Sequence, residues 1–418
     1  MKATEKLYYD KPEIFSCEAR VTAVHGGEDG LPGDGPALEL DRTIFYPEGG
    51  GQACDLGTIG ALDGSAAAAL ASVEETGRRI LHRLASRQGE GSPFKEGDRV
   101  RLLVDRARRI DYSQQHSAEH LIGATALRLL GAHVLSVHFG PDRSLIDFDL
   151  PSISDEDLAV VEDEVDRIIA DDYPIRTHVC PPEDIASFAL RRKAPEGEEE
   201  IRVVEIDGID FSPCCGLHRA STLELRAVRL FGAEKYKGMT RVYFAAGCRA
   251  TADYRAVSRI ARDSARTLGT SEAELAEAVM RESARRKEAE YAVGALERER
   301  AAYEAASAPE RSPSGSGGPD RAARLALRRY SDRGAASLMT TAKAFAEAGM
   351  VALLASLPEL TVQALAPSAD SRLGEKLKAP LAAFGGKGGG GGANFRAVFA
   401  DEEKLEAFLD EARRALGD

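Results

Sequence analysis

The chain has 418 residues, 43% of them hydrophobic, which is enough for two or three domains with real cores and excludes wholesale disorder. Lys+Arg 55 against Asp+Glu 68 leaves a formal charge of −13, so a polyanionic partner has to be met by a local basic surface. No stretch reaches about 20 uninterrupted apolar residues, the segment MKATEKLYYDKPEIF has no apolar secretory core, and six cysteines are too sparse for a disulfide scaffold, so the expectation is a cytoplasmic protein with reduced thiols and no membrane partner.

From residue 1 to about 105, the β-rich runs SCEARVTAV, ALELDRTIFYP, RRILHRLA and DRVRLLVD are separated by turn-rich segments, the pattern of a small β-barrel-like domain. Between Tyr112 and Gly131 the period changes, with Ala118, Leu121, Ile122, Thr125, Ala126, Leu129 and Leu130 at helical spacing, and Gly131 ends the run. HVLSVHF and SLIDFDL follow as a strand pair. A second helix carries Leu158, Val161, Val165 and Ile168 on one face, with Ser154 and Asp157 as its cap. IRTHV, IRVVEID and RVYFAAG add strands. From about 253 to 306 the chain is rich in Ala, Glu and Arg, and its thin seam of Leu275, Val279, Val293 and Leu296, broken by Arg286, predicts a solvated helical hairpin. Residues 309–320 have linker composition. Beyond them, the run GGKGGGGGANF is too glycine-rich for an ordinary element interior, and EEKLEAFLDEARRAL closes the chain as an amphipathic helix. The expected class is α+β: a β-barrel-like domain over 1–105, an α+β metal domain over 106–250, a helical spacer over 251–308, a linker over 309–320 and a glycine-rich α/β domain over 321–418.

His116 and His120 stand four apart, which stacks both imidazoles on one helix face and suits two ligands of one ion. Cys214 and His218 supply a second half-site, completing a Cys/His3 set for tetrahedral Zn2+. A rival reading takes His116-Ser-Ala-Glu119-His120 as the H-x-x-E-H string of inverted zinc proteases, with Glu119 as base and a carboxylate from Glu198 to Glu200 as third ligand. That reading leaves Cys214 and His218 unexplained.

Thr43-Ile-Phe45-Tyr46-Pro-Glu-Gly49-Gly50-Gly51-Gln52 leaves a strand and enters a glycine turn ending in an amide. By composition alone this is a hairpin turn. In order, Thr-x-Phe-Tyr-Pro-x-Gly-Gly-Gly-Gln, His-x3-His and Cys-x3-His resemble the editing half of alanyl-tRNA synthetases and the free-standing alanyl-tRNA editing hydrolases. The GGKGGGGG run and closing helix resemble that family's C-terminal tRNA-binding domain. The resemblance implies a hydrolase that removes serine, and glycine, wrongly attached to tRNA(Ala), without aminoacylation activity. It implies zinc on His116, His120, Cys214 and His218, and Thr43 and Gln52 as residues shaping the amino-acid pocket. The family's Cys-Gly-Gly-Thr-His string is Cys214-Cys215-Gly216-Leu217-His218 here, which leaves Cys215 as a competing thiolate, although the spacing to His218 favours Cys214, and leaves open a non-catalytic tRNA-binding zinc protein in which Cys215 and Leu217 mark a decayed site.

Serine differs from alanine by one hydroxyl, and a pocket that hydrogen-bonds that hydroxyl rejects alanine by leaving its own polar groups unpaired. Thr43 and Gln52 are the candidates for those groups. Candidate tRNA contacts are Arg106, Arg108 and Arg109, just before the metal helix, and Arg372, Lys376, Lys378 and Lys387 around the glycine run. The helical region is a candidate homodimer contact.

Overall fold

The computed structural model describes residues 3–26, 35–77, 79–85, 91–308 and 324–417; the expected linker at 309–320 lies outside them. The chain divides into two compact units, Met1–Ala261 and Arg262–Asp418. Both mix helix and strand.

The first unit opens with a closed six-stranded barrel. Ser16–His25 pairs with Ala37–Leu40, followed around the barrel by Arg79–Leu84, Ala67–Thr76, Gly57–Ala61 and Arg99–Val104, which closes on Ser16–His25. Alternation explains the burial: in Arg99–Val104, Val100, Leu102 and Val104 face the core while Arg99, Arg101 and Leu103 face out. Two of these strands, Gly57–Ala61 and Ala67–Thr76, lie outside the β-rich runs of the sequence. Glycine and alanine have weak strand preference, and cross-strand pairing recruits them.

Asp105 caps the next helix, its side chain accepting from the backbone N–H of Arg108, and the helix runs Arg106–Leu130 to a left-handed Gly131. It therefore starts six residues before Tyr112, and Arg106, Arg108 and Arg109 belong to its first turn. Every residue from Tyr112 to Ala126 is buried, polar ones included. Around this central helix stand a four-stranded antiparallel sheet (Val228–Tyr236, Met239–Ala246, Ser144–Phe148, Val134–Phe139, in that order) and a three-stranded one (Ile175–Cys180, Ile201–Ile206, Asp210–Pro213). Helix Asp155–Asp171 has the full capping box, Ser154 with Asp157, and packs Leu158, Val161, Val165 and Ile168 into the core.

Helix Gly247–Thr267 carries the chain into the second unit, where Leu275–Ala306 is a 32-residue helix. Among its residues only Ala278, Ala301 and Ala305 are buried, and Val279, Val293 and Leu296 of the apolar seam are exposed. The sheet of this unit runs Arg324–Tyr330, Met350–Ser356, Thr361–Leu365, Asn394–Val398, Lys387–Gly391. The last strand corrects the sequence expectation, because the glycine run is itself an edge strand. A Cβ on Gly390 would sit 2.0 Å from Asn394 O, and one on Gly374 would sit 2.1 Å from Gly390 O, so glycine lets neighbouring backbone pack against the run from two sides. The closing helix, Glu402–Gly417, buries Leu405, Phe408 and Leu409 against the sheet.

Candidate metal centre

Residues Gly49–Gln52 form a tight hairpin turn: Gly49 N–H donates to Gln52 O and Gln52 N–H to Gly49 O, with φ +59 at Gly50 and +79 at Gly51. Positive φ at both central residues is what a type I′ turn requires, which explains the paired glycines. The turn delivers Gln52, 1% exposed, to the central helix, where its Oε1 lies 2.9 Å from His116 Nδ1 and accepts from Leu217 N–H at 3.1 Å.

One helical turn apart, His116 and His120 face Cys214 and His218, and the four ligating atoms lie within 4.8 Å of one another, all buried. Cys214 Sγ is 3.2 Å from His116 Nε2 and 3.4 Å from His218 Nε2. With Zn–S about 2.3 Å and Zn–N about 2.0 Å, a tetrahedral shell has N···S edges of about 3.5 Å. His120 Nε2 is buried with no hydrogen-bond partner, an orphaned polar atom that a cation would satisfy. The residues fit a metal ion.

Each imidazole is oriented from behind. His116 has Gln52, His218 Nδ1 lies 3.1 Å from Ser117 Oγ, and His120 Nδ1 lies 3.2 Å from Asp210 Oδ2. Asp210 is fixed in turn by Arg191 Nε at 2.8 Å and Ser212 Oγ at 3.1 Å. Burial works against the Asp210 carboxylate, but the bond to His120 and the charge of Arg191 hold it down at about 2. Burial likewise disfavours the charged His120, and Asp210 and Cys214 outweigh it, raising the group to about 9. Burial and the neighbouring imidazoles push His218 down to about 3, the neutral form a metal needs. Burial opposes the Cys214 thiolate, yet His116 and His218 bring it well below the ordinary thiol range.

The altered string between the ligands has a physical account. A Cβ on Gly216 would lie 2.0 Å from His116 Cε1, so glycine is required there. Leu217 is 1% exposed in the barrel core, and Cys215 is exposed and does not join the ligand set. Glu198, Glu199 and Glu200 are exposed and do not join the cluster, against the protease reading. Glu119 is buried, 3.7 Å from His120 Nε2 and 3.9 Å from Arg191.

A cleft of about 930 Å³ opens beside the centre, lined by Gly50 and Gly51 of the turn, Cys214 and Cys215, and the segment Arg192–Pro195. Neither Thr43 nor Gln52 borders this cleft. Thr43 is fully buried: its hydroxyl donates to His82 Nε2 at 2.7 Å, since His82 Nδ1 donates to Leu38 O, and it accepts from Phe45 N–H. Gln52 meets His116 Nδ1 through its Oε1.

Arg109 is corrected as well. It is 2% exposed, ion-paired to Asp55, with further bonds to Pro12 O and Ile44 O, and offers nothing to an outside phosphate. Arg108 is half-buried over the Tyr112 ring and donates to Cys54 O, while Arg106, Arg372, Lys376, Lys378 and Lys387 are exposed. Sequence reading missed Asp210, Arg191 and Ser117. Only Ser117, inside the His-x3-His string, carried a local signal.

Two family models match: "tRNA synthetases class II (A)" over residues 1–108 and "Threonyl and Alanyl tRNA synthetase second additional domain" over 201–243. The chain is 29% identical over 422 residues to the alanine–tRNA ligase of Methanoculleus marisnigri, covering 99% of this chain and 43% of the ligase. It is 34% identical over 242 residues to the alanyl-tRNA editing protein Aarsd1 of Mus musculus (56% of this chain, 55% of that protein) and 31% over 215 residues to that of Danio rerio (51% and 49%). The chain thus spans about half the length of these relatives.

Proposed function

The chain is a relative of the alanyl-tRNA editing family, and from that premise we propose that it is an aminoacyl-tRNA ester hydrolase that removes serine, and glycine, from mischarged tRNA(Ala). The observation that carries this reading is the buried His116, His120, Cys214 and His218 set beside a cleft of about 930 Å³ that Cys214 lines. Zn2+ suits the nitrogen and thiolate donors, and when bound there it would supply positive charge for anchoring the substrate or polarising its ester. The protein's own part is positional. Gln52, Ser117 and Asp210 fix the three imidazoles, and the glycines at 50 and 51 let the turn backbone border the cleft. An ester of this kind is already activated toward hydrolysis, so orienting it and a water supplies much of the rate.

The protease alternative lacks its carboxylate ligand among the described residues, since Glu198, Glu199 and Glu200 do not join the cluster. Arg106, Arg372, Lys376, Lys378 and Lys387 serve as contacts to the tRNA body; their replacement in the full-length chain raises KM more than it lowers kcat. The deciding experiment is release of labelled serine from seryl-tRNA(Ala), with alanyl-tRNA(Ala) as control and a chelator-treated enzyme in parallel. The expected result is metal-dependent serine release with alanine spared; tRNA binding without any release refutes the reading.

A further inference from the structure

The cleft beside the metal centre is not evenly charged. Of the basic residues lining it, Lys6 pairs with Glu75 at 2.6 Å, and Arg202 donates to Gly216 O at 2.6 Å while lying over the Tyr9 ring. Arg192 and Lys193 differ. Both are exposed; Arg192 makes a single bond, Nη2 to Pro213 O at 2.6 Å, and Lys193 has no hydrogen-bond or ion-pair partner among the described residues. In a chain of net charge −13, an uncompensated basic pair on a cleft wall is a local exception.

The pair is also fixed in place. Arg191 N–H donates to Phe211 O at 2.8 Å, and its guanidinium grips Asp210, the carboxylate behind His120. Arg192 then holds the carbonyl of Pro213, the residue before Cys214. Three anchors thus tie residues 191 and 192 to the strand that leads into the metal ligand, so the basic pair stands at a set distance from the ion site.

Resting on the hydrolase reading, we infer that Arg192 and Lys193 form a phosphodiester subsite that receives the single-stranded 3′ end of the RNA and sets how far its terminal ribose ester reaches toward the metal centre. Arg192 keeps guanidinium donors free for bidentate phosphate contact, and Lys193 adds a point charge. Glu198 and Glu200, exposed on the same cleft, repel phosphate and confine it to the Arg192–Lys193 side. The Tyr9 and Arg202 pair offers a flat surface on which a terminal base stacks.

The test uses the full-length, metal-loaded protein and an uncharged acceptor-stem RNA hairpin with a single-stranded 3′ end, its Kd measured across a salt series. Arg192→Gln with Lys193→Gln removes two phosphate contacts, so Kd should rise roughly ten-fold at low salt and the slope of log Kd against log salt should fall by about 1.4. Lys193→Gln alone, which disturbs no anchor, should lower the slope by about 0.7, and Lys193→Arg should restore it. Glu198→Gln should tighten binding. An RNA with uncharged linkages at its last two positions should bind the wild type and the double variant equally. Unchanged Kd and slope in both Lys193→Gln and the double variant overturn the inference, as does a failure of the wild type to bind the RNA. Serine release, measured separately at saturating RNA, distinguishes the two ideas: its absence with the salt-slope differences intact refutes the hydrolase reading and leaves the RNA subsite standing.

Discussion

Gly216→Ala is the smallest change that tests the metal centre. The added Cβ would stand 2.0 Å from His116 Cε1 and 2.2 Å from Nδ1. Ordinary carbon contacts begin at about 3.5 Å, so the ring must retreat by about 1.5 Å. Metal–ligand distances tolerate only about 0.2 Å, so His116 leaves the set. Even disturbing a residue behind a ligand lowers metal affinity by about 10- to 100-fold; displacing the ligand itself should exceed about 100-fold. The same retreat breaks the bond of His116 to Gln52, a buried contact at roughly 1 kcal/mol. For a unit of this size that is a Tm loss of roughly 2 to 4 °C. Zinc affinity is read by competition with a chromophoric chelator and stability by thermal denaturation, with Gly91→Ala, whose Cβ would meet nothing within 4 Å, as the control. Wild-type zinc affinity in Gly216→Ala would refute the assignment of His116.

Gln52→Ala should lower zinc affinity by about 10- to 100-fold, because it frees the His116 ring; an unchanged affinity in the same chelator titration would return Gln52 to a pocket role. Arg109→Met leaves the Asp55 carboxylate buried without its partner, so chemical denaturation should show a loss of about 3 to 5 kcal/mol, and salt-dependent RNA binding by the folded fraction should be unchanged. Burial lowers His82 from 6.5 to about 4: the unfolded chain binds the proton below 6.5, the folded one only below about 4. About 3 kcal/mol of stability is therefore present above pH 6.5 and lost as the pH falls to 4. His82→Gln should flatten this part of the urea-midpoint profile, and an identical acid profile would count against the buried neutral imidazole. Thr43→Val removes the hydroxyl from His82 and Phe45 N–H and should destabilise by about 1 to 3 kcal/mol while leaving the seryl-to-alanyl hydrolysis ratio unaltered.

The sequence by itself determined what depends on near neighbours. The His-x3-His pair shares a helix face because 3.6 residues make a turn, the glycines at 50 and 51 take the positive φ of a tight hairpin, and Ser154 with Asp157 closes a capping box. The motif order placed the chain beside the editing family. Tertiary structure decided what depends on residues far apart in the chain. Asp210 reaches His120 across 90 positions, Gln52 reaches His116 across 64, and Arg109 finds Asp55 across 54. Nothing local distinguishes a buried, fully bonded arginine from a free one, so Arg109 read as an RNA contact. The same holds for Gln52 and Thr43: donor and acceptor groups are visible in sequence, but the direction in which they are used is not. In the glycine run the strand exists because backbone packs within reach on both sides, a fact of tertiary contact that propensity, a property of single residues, does not contain.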